Sequence, residues 1–470
     1  MKKKLLLQFV IILLLIGLQN MYAQEEATYW YFGEYAGIRF ESGEPIAITG
    51  GQTSSMEGMA VVSSSAGVLL FYTDGETVYN AEHNVMINGA GLMGNTSSTQ
   101  SALIIPMPAN EDNFYIFTVD MVDYSGGSDG LRYSRVDMSL NDWLGVVTNE
   151  KNILLEPNVS EKLTATRHSN GIDYWVIIQK WGTNNFYSYL VTADSVDTEA
   201  VISSCGAIID EEIDNAKGYM KVSHDGSKIA KANAGLRSDE VFDFNNLSGE
   251  VSNVITIFNI FGEPYGIEFS PNNQYLYVNT WKNSNRKVLL QYDLFAGNEV
   301  DINNSIVEIA SGTDGALQLG PDNRIYVATN NSAYLSRINY PDKKGSLCDF
   351  ESEAVYLEGS GSKWGLPNFV SWEIDTTVGV NQTNSKKEFD LLIFPNPAGE
   401  FFIIESPMFE SGGYSISICN LEGRERLKFI VPEGQKAIEI NILGWEQGVY
   451  IVSTKKNDHI VDSRKIIVEK

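Results

Sequence analysis

The chain has 470 residues, with 60 acidic against 34 basic ones and a formal charge of −26. A field of that sign repels nucleic acid and anionic lipid surfaces, so neither is expected as a partner. Cys205, Cys348 and Cys419 have no metal-ligand spacing, and the repeat register puts Cys205 and Cys348 in different units, which argues against a disulfide.

Residues 1–23 begin with Lys2, Lys3 and Lys4, continue with an apolar run over 5–18 and end on Ala23. This predicts a secretory signal peptide and no further transmembrane segment. Residues 28–50 read as three short strands, Tyr29–Phe32, 37–40 and 45–49, with no innermost strand before them. A repeated unit follows, clearest at 265–294: an apolar run, a Ser-Pro-Asn-Asn turn, an alternating strand, a polar tip and a third strand. Residues 218–244 and 315–338 have the same form, with turns at His224-Asp225-Gly226 and Pro321-Asp322-Asn323. Turns between first and second strands fall at Gly67, Asn110, Gly171, Gly226, Asn273 and Asn323, at intervals of 43, 61, 55, 47 and 50 residues. An all-β repeat of this period is the mark of propeller blades. The strand missing from the N-terminus is expected at 368–374 (NFVSWEI), so that the two ends share a blade and leave no exposed edge. The count favours seven blades; six or eight also fit, because the second and third units are the least regular.

The expected organisation is thus an all-β chain: signal peptide 1–23, β-propeller 24–375, polar linker 376–388 and a C-terminal domain over 389–470. That last stretch holds seven short β-like runs separated by Gly-rich turns, the pattern of an immunoglobulin-like sandwich. Its motifs are Phe394-Pro395-Asn396-Pro397, Asn420-Leu421-Glu422-Gly423-Arg424, Leu443-Gly444 with Gly448-Val449-Tyr450, and the tail Arg464-Lys465-Ile466-Ile467-Val468. In this order they resemble the type A sorting domain of the type IX secretion system of Bacteroidetes. Pro395 and Pro397 stiffen the entry, Asn396 favours a turn, and Gly448 permits a tight approach to the next strand. The resemblance implies recognition by outer-membrane secretion machinery, cleavage before Phe389, and release or attachment to surface lipopolysaccharide. A plain carbohydrate-binding sandwich is the competing reading, though no aromatic trio marks one face. The N-terminal part, through Trp30-Tyr31-Phe32-Gly33, Ala36-Gly37-Ile38-Arg39-Phe40, Leu70-Phe71-Tyr72-Thr73-Asp74-Gly75 and Ser97-Ser98-Thr99-Gln100-Ser101, resembles a family of secreted Bacteroidetes propellers. That family implies no defined catalytic activity.

Catalytic motifs are lacking in the sequence. His83, His168, His224 and His459 suggest no triad, and there is no Gly-x-Ser-x-Gly elbow, His-Glu-x-x-His or phosphate loop. No cofactor is expected. Calcium is the metal best suited to the loops Asp120…Asp123…Asp129 and Asp210-Glu211-Glu212…Asp214, but neither has the alternating ligand spacing, and solvated carboxylates explain both. Asp194-Ser195-Val196 and Asp375-Thr376-Thr377 resemble the acceptor pattern of Bacteroidetes O-glycosylation, a short match. The candidate ligand face rests on Trp181 with Asn184 and Trp281 with Asn283, at equivalent tips between second and third strands, joined by Tyr124 and Arg237. Such a face suits sugar rings or a surface protein; alternatively the indoles pack on the neighbouring blade. The leading expectation is a binding or adhesion module at the cell surface. A hydrolase or polysaccharide lyase acting in the channel, and a structural part of a surface or gliding apparatus, are the alternatives.

Overall fold

The computed structural model divides the chain into two units, 1–378 and 379–470. It describes residues 25–41, 44–122, 129–210, 212–259, 261–282 and 286–371 of the first, and 392–394, 398–399, 401–406, 409, 412–420, 424–432, 434–456 and 459–468 of the second. The expected signal peptide and linker lie outside the described residues.

Six sheets succeed one another along the first unit and make seven blades, because the nine-stranded second sheet joins two blades through a parallel pairing of Ile87 with Val146. The N-terminal sheet has three strands, Tyr29–Phe32, Ala36–Arg39 and Ile46–Ala47. Blade 1 follows (Ala60–Ser63, Leu69–Thr73, Thr77–Asn80, Val85–Ala90), then blade 2 (Ala102–Met107, Asn110–Val119, Leu131–Asp137), whose third strand is flanked by Val146–Val147 and Ile153–Glu156. Blade 3 comprises Val159–Arg167, Tyr174–Lys180, Thr183–Val191 and Val201–Ile209; blade 4, Met220–Val222, Lys228–Asn233, Ser238–Asn245 and Glu250–Phe258. Blade 5 comprises Glu263–Phe269, Tyr275–Lys282, Arg286–Asp293 and Val307–Ser311; blade 6, Leu317–Leu319, Ile325–Val327, Tyr334–Ile338 and Phe350–Tyr356. First strands of successive blades lie against one another, and the outer strand of blade 6 meets the N-terminal sheet, so the sheets form a ring. This is a seven-bladed β-propeller.

Local chemistry accounts for the repeat. Gly67, Gly171, Gly226, Asn273 and Asn323 all take left-handed φ values in the turn after the first strand, where Gly and Asn are least strained. In blade 2 Ala109, next to the expected Asn110, takes that role at φ +59°. In blade 5 Ser270 Oγ donates to Asn272 Oδ1 (2.7 Å) and accepts from the Tyr275 amide (2.8 Å). Blade 4 repeats the device with Ser223, Asp225 and the Lys228 amide, at 2.6 and 2.9 Å. Alternating apolar side chains pack between adjacent sheets, as an alternating strand with both faces covered requires.

Ring closure is made by aromatic and charged contacts. Buried Trp30 lies 5.5 Å from Tyr326 of blade 6 and 5.9 Å from Phe369, and on the other side Tyr31 stacks on Tyr72 of blade 1 at 4.4 Å. Glu44 joins Arg324 (2.8 Å) and Arg337 of blade 6. The expected closing strand takes a different place over its described residues, 368–371. It does not join the ladder of Tyr29–Phe32. Residues 367–371 instead run up the centre, bridging in parallel to Met59 and to Thr166 of blade 3. Asn368 donates to the carbonyls of Ala102 (3.3 Å) and Leu163 (2.9 Å), and Ser371 Oγ to Val222 O (2.8 Å). The inward-facing polar groups of four blades are therefore satisfied by a strap through the middle of the ring rather than by one more ladder.

The second unit contains two sheets, one of Leu392–Phe394, Phe401–Glu405 and Ala437–Asn441, the other of Glu425–Ile430, Tyr414–Asn420, Gly448–Lys456 and His459–Val468. Phe402, Ile404, Ile416, Ile418, Val452 and Ile466 form its core. Gly448 opens its strand opposite Val468, Lys465 sits opposite Ile451, and buried Tyr450 lies 4.9 Å from Trp445 and donates to Glu446 O at 3.0 Å. Pro395, Asn396, Pro397 and Gly423 lie outside the described residues. Cys205, Cys348 and Cys419 are free thiols.

Candidate functional site

In each blade the first and third strands run the same way. Loops joining second to third strands therefore share a face with those joining one blade to the next. On that face a cavity of about 230 Å³ opens at the channel mouth, lined among others by Glu57, Tyr265, Trp281, Asp314 and Trp364.

Trp364 begins the central strap. Its amide donates to Met56 O (3.0 Å), its carbonyl accepts from Ala316 N (2.7 Å), and its indole donates to Asp314 Oδ2 (3.3 Å). The strap crosses so close to Glu57 that a methyl group at Gly365 would lie 1.6 Å from the Glu57 carbonyl, so only glycine fits. Asp314 also holds Lys287 at 2.5 Å. Trp281 faces Trp364 with ring centroids 6.2 Å apart, and its indole nitrogen is buried without an acceptor.

Two bulges in first strands aim further groups at the mouth. In blade 5 the ladder shifts register between Pro264 and Ile267, placing Tyr265 over the channel. Its buried hydroxyl lies beside the Glu57 carboxyl and interacts with it. In blade 3 the shift lies between Val159 and Leu163, and turns both Glu161 and Lys162 inward. Glu161 accepts from Thr99 N (3.1 Å), Thr99 Oγ1 (2.9 Å) and Val122 N (3.3 Å). Lys162, fully buried, donates to the carbonyls of Ala216 (3.0 Å) and Gly218 (3.1 Å) and so pins the loop that carries Asp214 and Lys217 to the rim.

Burial, and secondly the charge of Glu161, push the Glu57 carboxyl up to about 8. Burial also raises Glu161, against the hydrogen bonds from Thr99 that favour its charged form. The Glu57 carboxyl thus favours its protonated form at neutral pH. The remaining rim carboxylates are paired: Asp214 with Lys217 (2.6 Å), Glu263 with Arg237 (3.5 Å) and Asp314 with Lys287. The mouth is polar, aromatic and close to neutral.

Of the residues expected from sequence, Trp281 borders this cavity and exposed Arg237 reaches its rim through Glu263. Trp181 stands at the equivalent tip of blade 3, half-buried, and does not line the cavity; Asn184 donates within its own blade to Gly206 O (3.3 Å). Tyr124 and Asn283 lie outside the described residues. His224 is buried, 4.0 Å from Glu268, while His168 contacts Leu247 O and His83 the Tyr72 hydroxyl. Among the described residues no group of three or more His, Cys, Asp or Glu is placed to hold a metal ion; Asp123 and Glu211 of the oxygen-rich loops are not described. Glu57, Glu161, Tyr265, Asp314 and Trp364 were not singled out from sequence. The signals were a Glu-Lys pair inside an otherwise buried strand and a Trp-Gly immediately before the closing segment.

Comparison with curated proteins returns no match. Among solved structures the chain is similar to a protein of unknown function from Desulfotomaculum acetoxidans (12% identity, TM-score 0.42, covering 73% of this chain and 98% of that one). It is also similar to the Cps50 (Swd1) β-propeller domain of Myceliophteria thermophila (10%, 0.37, 65% and 94%) and the periplasmic gluconolactonase of Pseudomonas aeruginosa (14%, 0.34, 75% and 96%). These likenesses are slight, and the fold assignment stands on the strand ladders. No helix among the described residues is long and apolar enough to cross a membrane. Residues 392–469 match the family described as the secretion system C-terminal sorting domain, which makes this an exported β-propeller protein with a type IX sorting tail, secreted or held at the outer-membrane surface.

Proposed function

We propose that the exported propeller is a carbohydrate-binding protein that takes one sugar ring in the channel-mouth cavity. One observation carries this reading: a buried donor without an acceptor, Trp281 Nε1, belongs to a pair of indoles that line the same cavity. Buried polar groups are normally satisfied, so such a donor marks a place for an acceptor from a ligand. Indole faces beside polar groups suit a ring that is apolar on its faces and hydroxylated at its edge. The volume is below the range usual for drug-sized ligands, which fits a single ring. The test is intrinsic fluorescence and calorimetry of the full chain against a glycan panel. Wild type should bind a neutral glycan, and Trp281→Ala should weaken it at least tenfold. A folded wild type that binds none, or a variant that binds equally well, overturns the proposal.

A second reading is favoured by Glu57. A carboxyl that keeps its proton at neutral pH beside a second buried carboxyl is what a general acid in glycoside cleavage needs. New reducing ends after incubation with a bound glycan, lost in Glu57→Gln, would establish it; no turnover leaves the protein a binder.

A further inference from the structure

We propose that the ligand is a chain of neutral hexose units, and that its second unit lies in a groove beside Tyr35. This rests on the carbohydrate reading of the mouth. The groove, about 430 Å³, is lined among others by Tyr35, Asn331, Ser332, Ser360 and Lys363. It lies on the same face as the mouth cavity and adjoins it. Lys363 lines the groove and the next residue, Trp364, lines the cavity. Asn330 donates its amide to Asp314 of the cavity at 3.0 Å, and the next residue, Asn331, accepts from Lys363 Nζ at 2.9 Å in the groove. Asn330 Oδ1, buried at this join, has no donor. A hydroxylated chain crossing from one space to the other would supply one.

Tyr35 has the features of a platform held for use. A ring-bearing residue at φ +58° is strained, and its neighbour Gly33 is left-handed as well, at +57°. The conformation is enforced by Tyr35 N donating to Thr53 O (2.9 Å) and by Ser360 Oγ donating to Tyr35 O (3.0 Å). The residue so held is half exposed, at 51%, instead of packing into the sheet. Charge selects the class of chain. Lys363, the cation of the groove, is engaged by Glu34 at 3.0 Å, the rim carboxylates of the cavity are paired, and the protein as a whole is strongly acidic. Uronate and sulfate chains would meet repulsion without a free counter-charge.

The experiment is calorimetric titration of the full chain with D-glucose, D-mannose and D-galactose and their linear oligomers of two to five units. Affinity in one series should rise at least tenfold between one unit and two or three. Tyr35→Gly relieves the strained φ, so it should fold at least as well as wild type and lose that rise, while binding the single sugar unchanged. Trp281→Ala should weaken every member. Length-independent affinity, or a Tyr35→Gly variant that keeps the rise, overturns the groove alone. A wild type that binds no member overturns the carbohydrate reading and the groove with it.

Discussion

Replacing Glu57 by glutamine should make the propeller more stable at alkaline pH. In the unfolded chain this carboxyl ionises near 4.5, and in the folded one near 8, because burial disfavours the anion and Glu161 repels it. Between those values the folded state holds a proton that the unfolded state has released. Stability from this group is therefore complete below about pH 4.5 and is lost as pH rises through about 8. At about 1.36 kcal/mol per unit, the whole loss is roughly 5 kcal/mol, an upper figure because solvent rearrangement around the anion reduces it. A glutamine side chain keeps the shape and a donor and carries no such proton. The assay is urea unfolding of the full chain from pH 5 to pH 9.5, wild type against Glu57→Gln. The two should differ by less than about 1 kcal/mol at pH 5, and the variant should gain several kcal/mol by pH 9, the difference growing by about 1.4 kcal/mol per pH unit between about pH 4.5 and 8 and levelling off above it. Parallel curves over the whole range would refute the reasoning, and would place Glu57 in contact with water.

Two further outcomes follow from how the ring is closed. Trp30→Ala removes the indole shared by the N-terminal sheet, Tyr326 and Phe369, and should destabilise the first unit by about 3–5 kcal/mol in urea melts while leaving the second unit's transition in place. Asn368→Leu keeps the volume but strands the Leu163 carbonyl and the Gln100 amide, and should lower stability by about 3 kcal/mol, with faster hydrogen exchange along the first strands of blades 2 and 3.

Much of the fold was legible because it is written in local chemistry. Left-handed turns favour Gly or Asn, and their recurrence pointed to seven blades while leaving six or eight open. The closing strap was legible as an apolar run left over at the end of the repeats, but not its path. A ladder partner can be guessed from alternation; the bonds of Asn368 to two carbonyls from different blades cannot, since they join residues more than 200 apart. The site was legible only through Trp281. Glu57 and Trp364 sit in loops without periodicity, and Glu161 and Lys162 face inward together because of a bulge, which breaks the alternation that sequence reading relies on.

The strap also explains why the larger cavity lies at one end of the ring. From Trp364 at the mouth it rises past Met59, Ala102 and Leu163 to Ser371, where it reaches the last turns of the first strands. Around Val370 and Ser371 the far end keeps a cavity of only about 60 Å³, bordered by Glu26, Arg167 and Tyr174. The strap thereby forms the floor of the mouth cavity, with buried Glu57 in its lining. Such a floor excludes water from below, which is what keeps a carboxyl protonated and makes each hydrogen bond to a ligand count. Ser371, the last described residue of the first unit, stands at the end opposite the mouth cavity, and no described residue beyond it lines that cavity. An exported protein of this design can lose its sorting tail and keep the mouth cavity whole.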